Sequence, residues 1–403
     1  MPQRSVVFLS ATRTAIGSFG GALSGMPPTE LAAAVVRESL GRSPLSAGDI
    51  GHCVFGNVAH SDRRDAYLAR CAALDGGLDE ATPALTVNRL CGSGLQAVVS
   101  AAQCILLGDA DAAIAGGAEN MSRLPHWVHD LRHGRRMGDA VLEDAMLAAL
   151  HDPFDDCHMG VTAENVAAKW NISRAQQDQW ALESHRRAAA AIASGYFREQ
   201  ILPLKVKPRN KKDKKKNTGE IVFDTDEHPR ADASLDALSA MRPAFQPDGS
   251  VTAGNSSGIN DAAAALVMME AGAAEKRGLQ PLARLVAYDH AGVAPRYMGI
   301  GPVPAVRKVM ARAGLGVGDM SVIELNEAFA AQALAVMADL ELPPAKTNPN
   351  GSGISLGHPI GATGAILAVK AIYELKRAKG RYALVTMCIG GGQGIAAIIE
   401  NTA

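Results

Sequence analysis

The 403 residues carry 40 Lys+Arg against 41 Asp+Glu, with 47% hydrophobic and 20% charged residues. That balance excludes a chain drawn to nucleic acid or an anionic membrane by net charge, and it describes a globular protein of two or three domains. No apolar run reads as reaching the roughly 18 to 20 residues that span a bilayer. Six cysteines with no CxxC and no Cys/His pairing exclude a disulfide framework or a zinc site, so a reducing cytoplasm is the expected location.

The amino terminus, Met1–Ser10, reads as a short buried strand without the long apolar core of a signal peptide. Strand-like runs then alternate with Ala-rich helical ones, as in α/β layering. Ile50–Asn57 and Ala84–Val87 are strands. Cys91 opens an almost wholly apolar helix, Gly94–Leu107, that Gly108 ends, and a helix apolar all round is a buried one. The strand Ala112–Ala115 follows and stops in Gly116-Gly117-Ala118-Glu119.

From Asn120 to about Asp248 the chain is richer in charge, Pro, His and Met. Ser173-Arg174-Ala175-Gln176 is a capping box that starts a helix running to about Gly195. Lys205–Lys216 holds eight basic residues and one Asp213, and reads as a solvated loop or a cationic rim for a phosphorylated substrate. The apolar pattern resumes at Val251. The last third repeats the plan of the first: a strand at Val322–Glu324 before Asn326, a helix from near Gly361 to Lys379-Gly380, and a strand Tyr382–Met387 leading to Cys388. Two related domains follow from that repetition, each placing a reactive residue at a helix start or strand end.

Three residues in glycine-rich settings carry the chemistry. Cys91 lies in Val87-Asn88-Arg89-Leu90-Cys91-Gly92-Ser93-Gly94; a helix start is expected to depress its thiol pKa, and its N–H is placed to face an oxyanion. Cys388 ends a strand before Gly390-Gly391-Gly392, whose N–H groups suit a second oxyanion. His358 stands between Gly357 and Pro359, and proline holds the residue before it extended. Asn326, in Asn326-Glu327-Ala328-Phe329-Ala330, reads as a helix cap or as the holder of a water. Cys53, Cys71, Cys104 and Cys157 sit in ordinary settings and read as inert.

These motifs, with Cys388-Ile389-Gly390-Gly391-Gly392, Arg13-Thr14-Ala15-Ile16-Gly17 and His158-Met159-Gly160, together resemble the thiolase family over essentially the whole chain. The likeness is to bacterial biosynthetic thiolases, among them the β-ketothiolases that make short 3-ketoacyl-CoA precursors of polyhydroxyalkanoates. It implies an α/β fold of two related domains in five αβαβα layers. Residues 1–120 plus 251–279 would form the N-terminal domain, 121–250 an inserted loop domain, and 280–403 the C-terminal domain.

The resemblance also implies roles. Cys91 is the acylated nucleophile. His358 activates it and, with a water held by Asn326, binds the thioester oxygen. Cys388 exchanges the C2 proton, and the N–H groups of Cys91 and Gly390 form the other oxyanion hole. Arg230, Ser257, Leu150 and Phe245 line the coenzyme A site, while His158, Met159, Met298 and Phe329 shape the acyl pocket. The implied reaction is ping-pong acyl transfer, with coenzyme A and acyl-CoA as substrates and no permanently bound cofactor or metal. The implied assembly is a homotetramer built through the loop domain, with neither nucleic acid nor membrane as partner.

Two departures from the family pattern stand out. Asn210–Thr218 is longer and more basic than the usual loop, and Leu325 replaces the customary small residue before Asn326-Glu327. A condensing synthase of the same fold uses one Cys with two His, which the second reactive Cys argues against. A non-catalytic acyl-CoA binder has no need of all four of Cys91, His358, Asn326 and Cys388, and a thiol redox protein needs a resolving cysteine close in sequence.

Overall fold

The computed structural model describes residues 4–207 and 219–402. Most of the lysine run, from 208 to 216, lies outside them, as does all of the Asn210–Thr218 departure. The N-terminal half builds β1 (Val6–Thr14), α1 (Pro28–Arg42), β2 (His52–Gly56), α2 (Leu68–Asp75), β3 (Ala84–Val87), α3 (Ser93–Leu107) and β4 (Ala112–Asn120). The chain then leaves the sheet, forming α4 (Met159–Lys169) and α5 (Arg174–Ala193) among shorter pieces, and returns as β5 (Asn260–Glu270). The second half builds β6 (Ala283–Gly292), α6 (Pro302–Ala313), β7 (Met320–Leu325), α7 (Ala330–Leu340), α8 (Thr363–Ala378), β8 (Tyr382–Ile389) and β9 (Gln393–Asn401).

The strands run in the order β7-β8-β9-β6-β1-β5-β4-β2-β3. In the first half β1, β5 and β4 are antiparallel neighbours, then β2 and β3 continue parallel to β4. In the second half β6, β9 and β8 are antiparallel neighbours, β7 continues parallel to β8, and a parallel bridge from Ile323 to Thr347 stands where a fifth strand would be. The repetition read from sequence is thus a repetition of strand order. The halves join where β1 pairs with β6 at Val6–Phe8. α3 and α8 pack on each other between the halves, α1 and α2 cover the outside of the first, and α6 covers the outside of the second. That stacking gives the αβαβα layers of the thiolase fold.

Local chemistry explains where the elements stop. The capping box at Ser173 and Gln176 starts α5, and Gly108 ends α3 in the left-handed region at φ 87°. α3 and α8 approach so closely that a Cβ on Gly94 would lie 2.6 Å from the Ala365 nitrogen, and one on Gly364 would lie 2.3 Å from the Leu95 nitrogen. Two expectations need correction. β4 does not stop at Ala115: Gly116 and Gly117 continue the strand, because the Gly361 carbonyl comes in so close that a Cβ on Gly117 would lie 2.2 Å from it. Leu90–Leu107 is, by length and composition, long and apolar enough to cross a membrane. Its apolar surround is explained by α3 lying between two layers of the protein.

The segment between β4 and β5 is tied to the sheet by a buried ion pair. Arg13 and Asp226 side chains are both fully buried at 2.7 Å, with Gln200 Oε1 accepting from Arg13 Nε and Ile16 N–H donating to Asp226. The motif at Arg13–Gly17 therefore anchors the loop that continues to His228 and Arg230. Breaking such a pair leaves an uncompensated buried charge, which costs about 3–5 kcal/mol. Arg13→Ala is expected to lower the thermal midpoint sharply. An unchanged melting curve by calorimetry would show that the pair does not hold this segment.

Candidate active site

Cys91, His358 and Cys388 are brought together in one cavity of about 510 Å³. Cys91 lies in the turn between β3 and α3, where the Gly92 N–H donates to Arg89 O and the Ser93 N–H to Leu90 O. Leu90, the residue before Cys91, takes φ 47°, a conformation that costs a non-glycine residue energy. Cys388 stands near the end of β8, fully buried in an apolar cluster with Met159, Met298, Phe329 and Phe245. Gly390–Gly392 make the tight link from β8 to β9, and Gly390 alone of the three lines the cavity.

His358 comes from the loop before α8, and three acceptors from elsewhere in the fold hold that loop. Asn260 Oδ1 accepts the His358 N–H at 3.0 Å. Glu119 accepts the Gly361 N–H at 2.9 Å, and Glu327 accepts the Ile354 N–H at 3.4 Å. Gly357 has φ 107°, and a Cβ there would meet the Asn260 side chain at 2.4 Å, so only glycine permits this approach. The Glu119 carboxylate also receives Asn57 Nδ2, Val58 N and Ala59 N at 3.0–3.2 Å. Burial pushes Glu119 up to about 8. All four contacts are N–H donors, so the ionised form is the one they satisfy.

Desolvation sets the resting charges. Burial holds His358 down to about 4, so the imidazole is neutral near pH 7. Burial pushes the Cys91 thiol up; the N–H groups of Gly390 and of Cys91 itself pull the other way, and Glu119 adds to the rise. Cys388 is pushed up strongly by burial, with Cys91 as a second cause. The depressed Cys91 pKa expected from the helix start is therefore not found. Cys91 lies before α3 rather than in its first turn, and loss of water outweighs the two N–H groups. A thiolate at Cys91 must be made by moving its proton to a base.

Asn326 follows β7 and is fully buried. It does not cap a helix: α7 begins at Ala330, with Phe329 before it and no side-chain cap. Its N–H donates to Thr386 O, its Nδ2 lies 3.4 Å from His358 Nε2, and its Oδ1 has no protein partner. Such a free buried acceptor suits a bound water. Leu325, fully buried, is locked by Asn348, whose Oδ1 accepts its N–H and whose Nδ2 donates to its carbonyl.

Every other residue named from sequence lines the cavity: Leu150, His158, Met159, Arg230, Phe245, Ser257, Met298 and Phe329, with Asn326 directly behind His358. His158 stacks on Phe245 at 4.7 Å, and Phe329 meets Phe245 edge-on at 6.1 Å. His158 Nδ1 accepts the Gly160 N–H, and burial lowers its pKa. Arg230 is exposed and is the one Arg or Lys among the described lining residues. His228 also lines the cavity and was not foreseen. Neither were Glu119, Asn260 and Glu327; a carboxylate ending an apolar strand, as Glu119 does, was the available signal.

Residues 6–272 match the thiolase N-terminal domain and residues 279–401 the thiolase C-terminal domain. The chain belongs to the thiolase family. It is 64% identical to beta-ketothiolase BktB of Cupriavidus necator over 399 residues, covering 99% of each chain. It is 47% identical to an acetyl-CoA acetyltransferase of Pseudomonas aeruginosa, covering 98% of each. The human mitochondrial 3-ketoacyl-CoA thiolase, solved in complex with CoA, superposes at a TM-score of 0.95 with 41% identity, covering 99% of this thiolase and 98% of that chain.

The neutral resting state is measurable. A thiolate absorbs near 240 nm, and the difference between the wild type and Cys91→Ser reports Cys91 alone. Because the Cys91 pKa is raised, that absorbance is expected to be absent at pH 7 and to grow only above the ordinary thiol range of about 8.5. Full thiolate absorbance at pH 7 would contradict the desolvated picture.

Proposed function

We propose that this thiolase is a β-ketothiolase that joins acetyl-CoA to acetyl-CoA or a short acyl-CoA and cleaves the 3-ketoacyl-CoA product in reverse. The observation that carries the reading is one cavity lined by two thiols and a neutral imidazole. In the first half-reaction His358 takes the Cys91 proton and the thiolate attacks the acetyl carbonyl. The thioester oxygen is met by the protonated His358 and a water on Asn326. The C–S bond to coenzyme A breaks, and the departing sulfur takes its proton from Cys388. In the second, the Cys388 thiolate removes the C2 proton of the incoming acyl-CoA, and the carbanion attacks acetyl-Cys91. The N–H groups of Cys91 and Gly390 face that oxygen, and the Cys91 thiolate released regains its proton from His358. A thiol whose pKa is far above neutrality is a poor resting nucleophile and a strong base once ionised, which suits Cys388.

Arg230 at the rim supports a phosphate contact, with Ser257, Leu150 and Phe245 along the pantetheine arm. Met159, Met298 and Phe329, with His158 beside them, line an apolar part of the cavity, which supports an acyl chain bound there. The C. necator relative named a beta-ketothiolase supports a 3-ketoacyl-CoA product. The exposed Trp127, Leu131, Met137, Val141 and Leu142 of the inserted segment support a homotetramer assembled there. Six free thiols suit a cytoplasmic location.

Cys91→Ser is expected to lose thiolysis and acyl-enzyme, since an alkoxide is far harder to form than a thiolate. Cys388→Ser is expected to acetylate Cys91 at a reduced rate, while losing condensation and deuterium exchange at the acetyl methyl by roughly 100- to 10,000-fold. Wild-type exchange in Cys388→Ser, or thiolysis above about a tenth of wild type in Cys91→Ser, would remove the assigned roles.

A further inference from the structure

We propose that Thr363 is a positioning residue that sets the tautomer of His358, so that Nε2 takes the Cys91 proton and, while holding it, donates a hydrogen bond to the thioester oxygen. The inference rests on the roles of Cys91 and His358 above and adds a residue to them. His358 Nδ1 lies 2.6 Å from Thr363 Oγ1, and Thr363 Oγ1 lies 2.9 Å from the Pro359 carbonyl. A hydroxyl has one proton. With that proton donated to Pro359 O, Oγ1 accepts from the ring, and Nδ1 carries the hydrogen. Asn326 Nδ2, an N–H donor, faces the opposite nitrogen, which fits a lone pair on Nε2. Thr363 is buried, so no solvent competes for either contact.

A second observation stands apart from the ring. α3 and α8 occupy matching places in the two halves, and each begins with a hydroxyl residue turned back on the loop before it. Ser93 Oγ accepts the Arg89 N–H at 2.8 Å and donates to Leu90 O at 2.7 Å. Thr363 uses the same accept-and-donate pattern, with the acceptor role given to an imidazole. The hydroxyl at the start of α3 fixes the loop holding the nucleophile, and the one at the start of α8 fixes the base.

The proton count follows. The Cys91 S–H bond breaks and its proton goes to Nε2, giving an imidazolium whose Nδ1–H stays on Thr363 Oγ1. The Nδ1 proton never leaves, and Nε2 alone cycles. If Thr363 instead donated to Nδ1, Nε2 would carry a hydrogen at rest and would have no lone pair for the thiol.

Thr363→Val keeps the shape and removes the hydroxyl, and Thr363→Ser keeps the hydroxyl. The rate of Cys91 acetylation under single turnover should fall at least about tenfold in Thr363→Val, since general-base help is worth roughly 100- to 10,000-fold. KM for acetyl-CoA should stay within about twofold, because only the transition state loses an interaction. Thr363→Ser should recover most of the rate. Wild-type rates in Thr363→Val, or equal losses in Val and Ser, would overturn the proposal. ¹⁵N shifts of His358 in the resting wild type, assigned by its loss in His358→Asn, decide the matter even if Thr363→Val does not fold. Hydrogen on Nδ1 supports the proposal, and hydrogen on Nε2 overturns it. The shifts read the resting ring, so they stand whether or not Cys91 proves to be the nucleophile.

Discussion

The active site depends on how the loop carrying His358 is held. The nucleophile belongs to the first half of the chain and the base to the second, so their distance is set by contacts between halves. Glu119 at the end of β4 takes the Gly361 N–H, and Asn260 at the start of β5 takes the His358 N–H. Both acceptors sit in the first half and both donors in the second. On the other flank Glu327 receives Ile354 N, Asn348 Nδ2, Trp180 Nε1 and Ser184 Oγ, which brings α5 of the inserted segment into the same support. Each of these hydrogen bonds is worth about 0.5–1.5 kcal/mol, and a buried donor left without its acceptor costs about 1–3 kcal/mol, so these loops have little freedom to drift.

The same burial that makes the clamp strong fixes the protonation states. Burial disfavours the charged forms of Cys91, Cys388 and His358, and all three rest neutral near pH 7. In the free enzyme the cavity therefore carries no thiolate for oxidants or stray electrophiles to find; the Cys388 thiolate and the protonated His358 exist together only in the acetyl-enzyme, and prealigned N–H groups meet the oxyanion when it forms. The two thiols differ by place alone: Cys91 sits in a turn open to the cavity and faces the Gly390 N–H, while Cys388 is sealed among Met and Phe side chains.

Much of this was legible in the sequence where the signal is local. Ala84–Val87 and the capping box at Ser173 are short-range patterns, and both elements occur where expected. The reactive residues announced themselves because backbone must come close to substrate, and glycine is what lets it. The partners of His358 were not legible. Glu119 and Gly361 are 242 positions apart, and no local pattern links them. The length of β4 was misread because Gly116-Gly117 looks like a stop, whereas the reason for glycine is the second half's backbone pressing on the strand. The Cys91 pKa was misread for the same cause: a helix start is visible in sequence, and desolvation by a distant domain is not.

The measurement that tests the account most directly is a rapid-quench experiment on the wild type with acetyl-CoA alone. A burst of free coenzyme A approaching one per subunit is expected, formed faster than steady turnover. The matching acetyl group is expected, by mass spectrometry, on the peptide containing Cys91. Release of coenzyme A with no burst, or acetyl found on Cys388 with Cys91 unmodified, would contradict it.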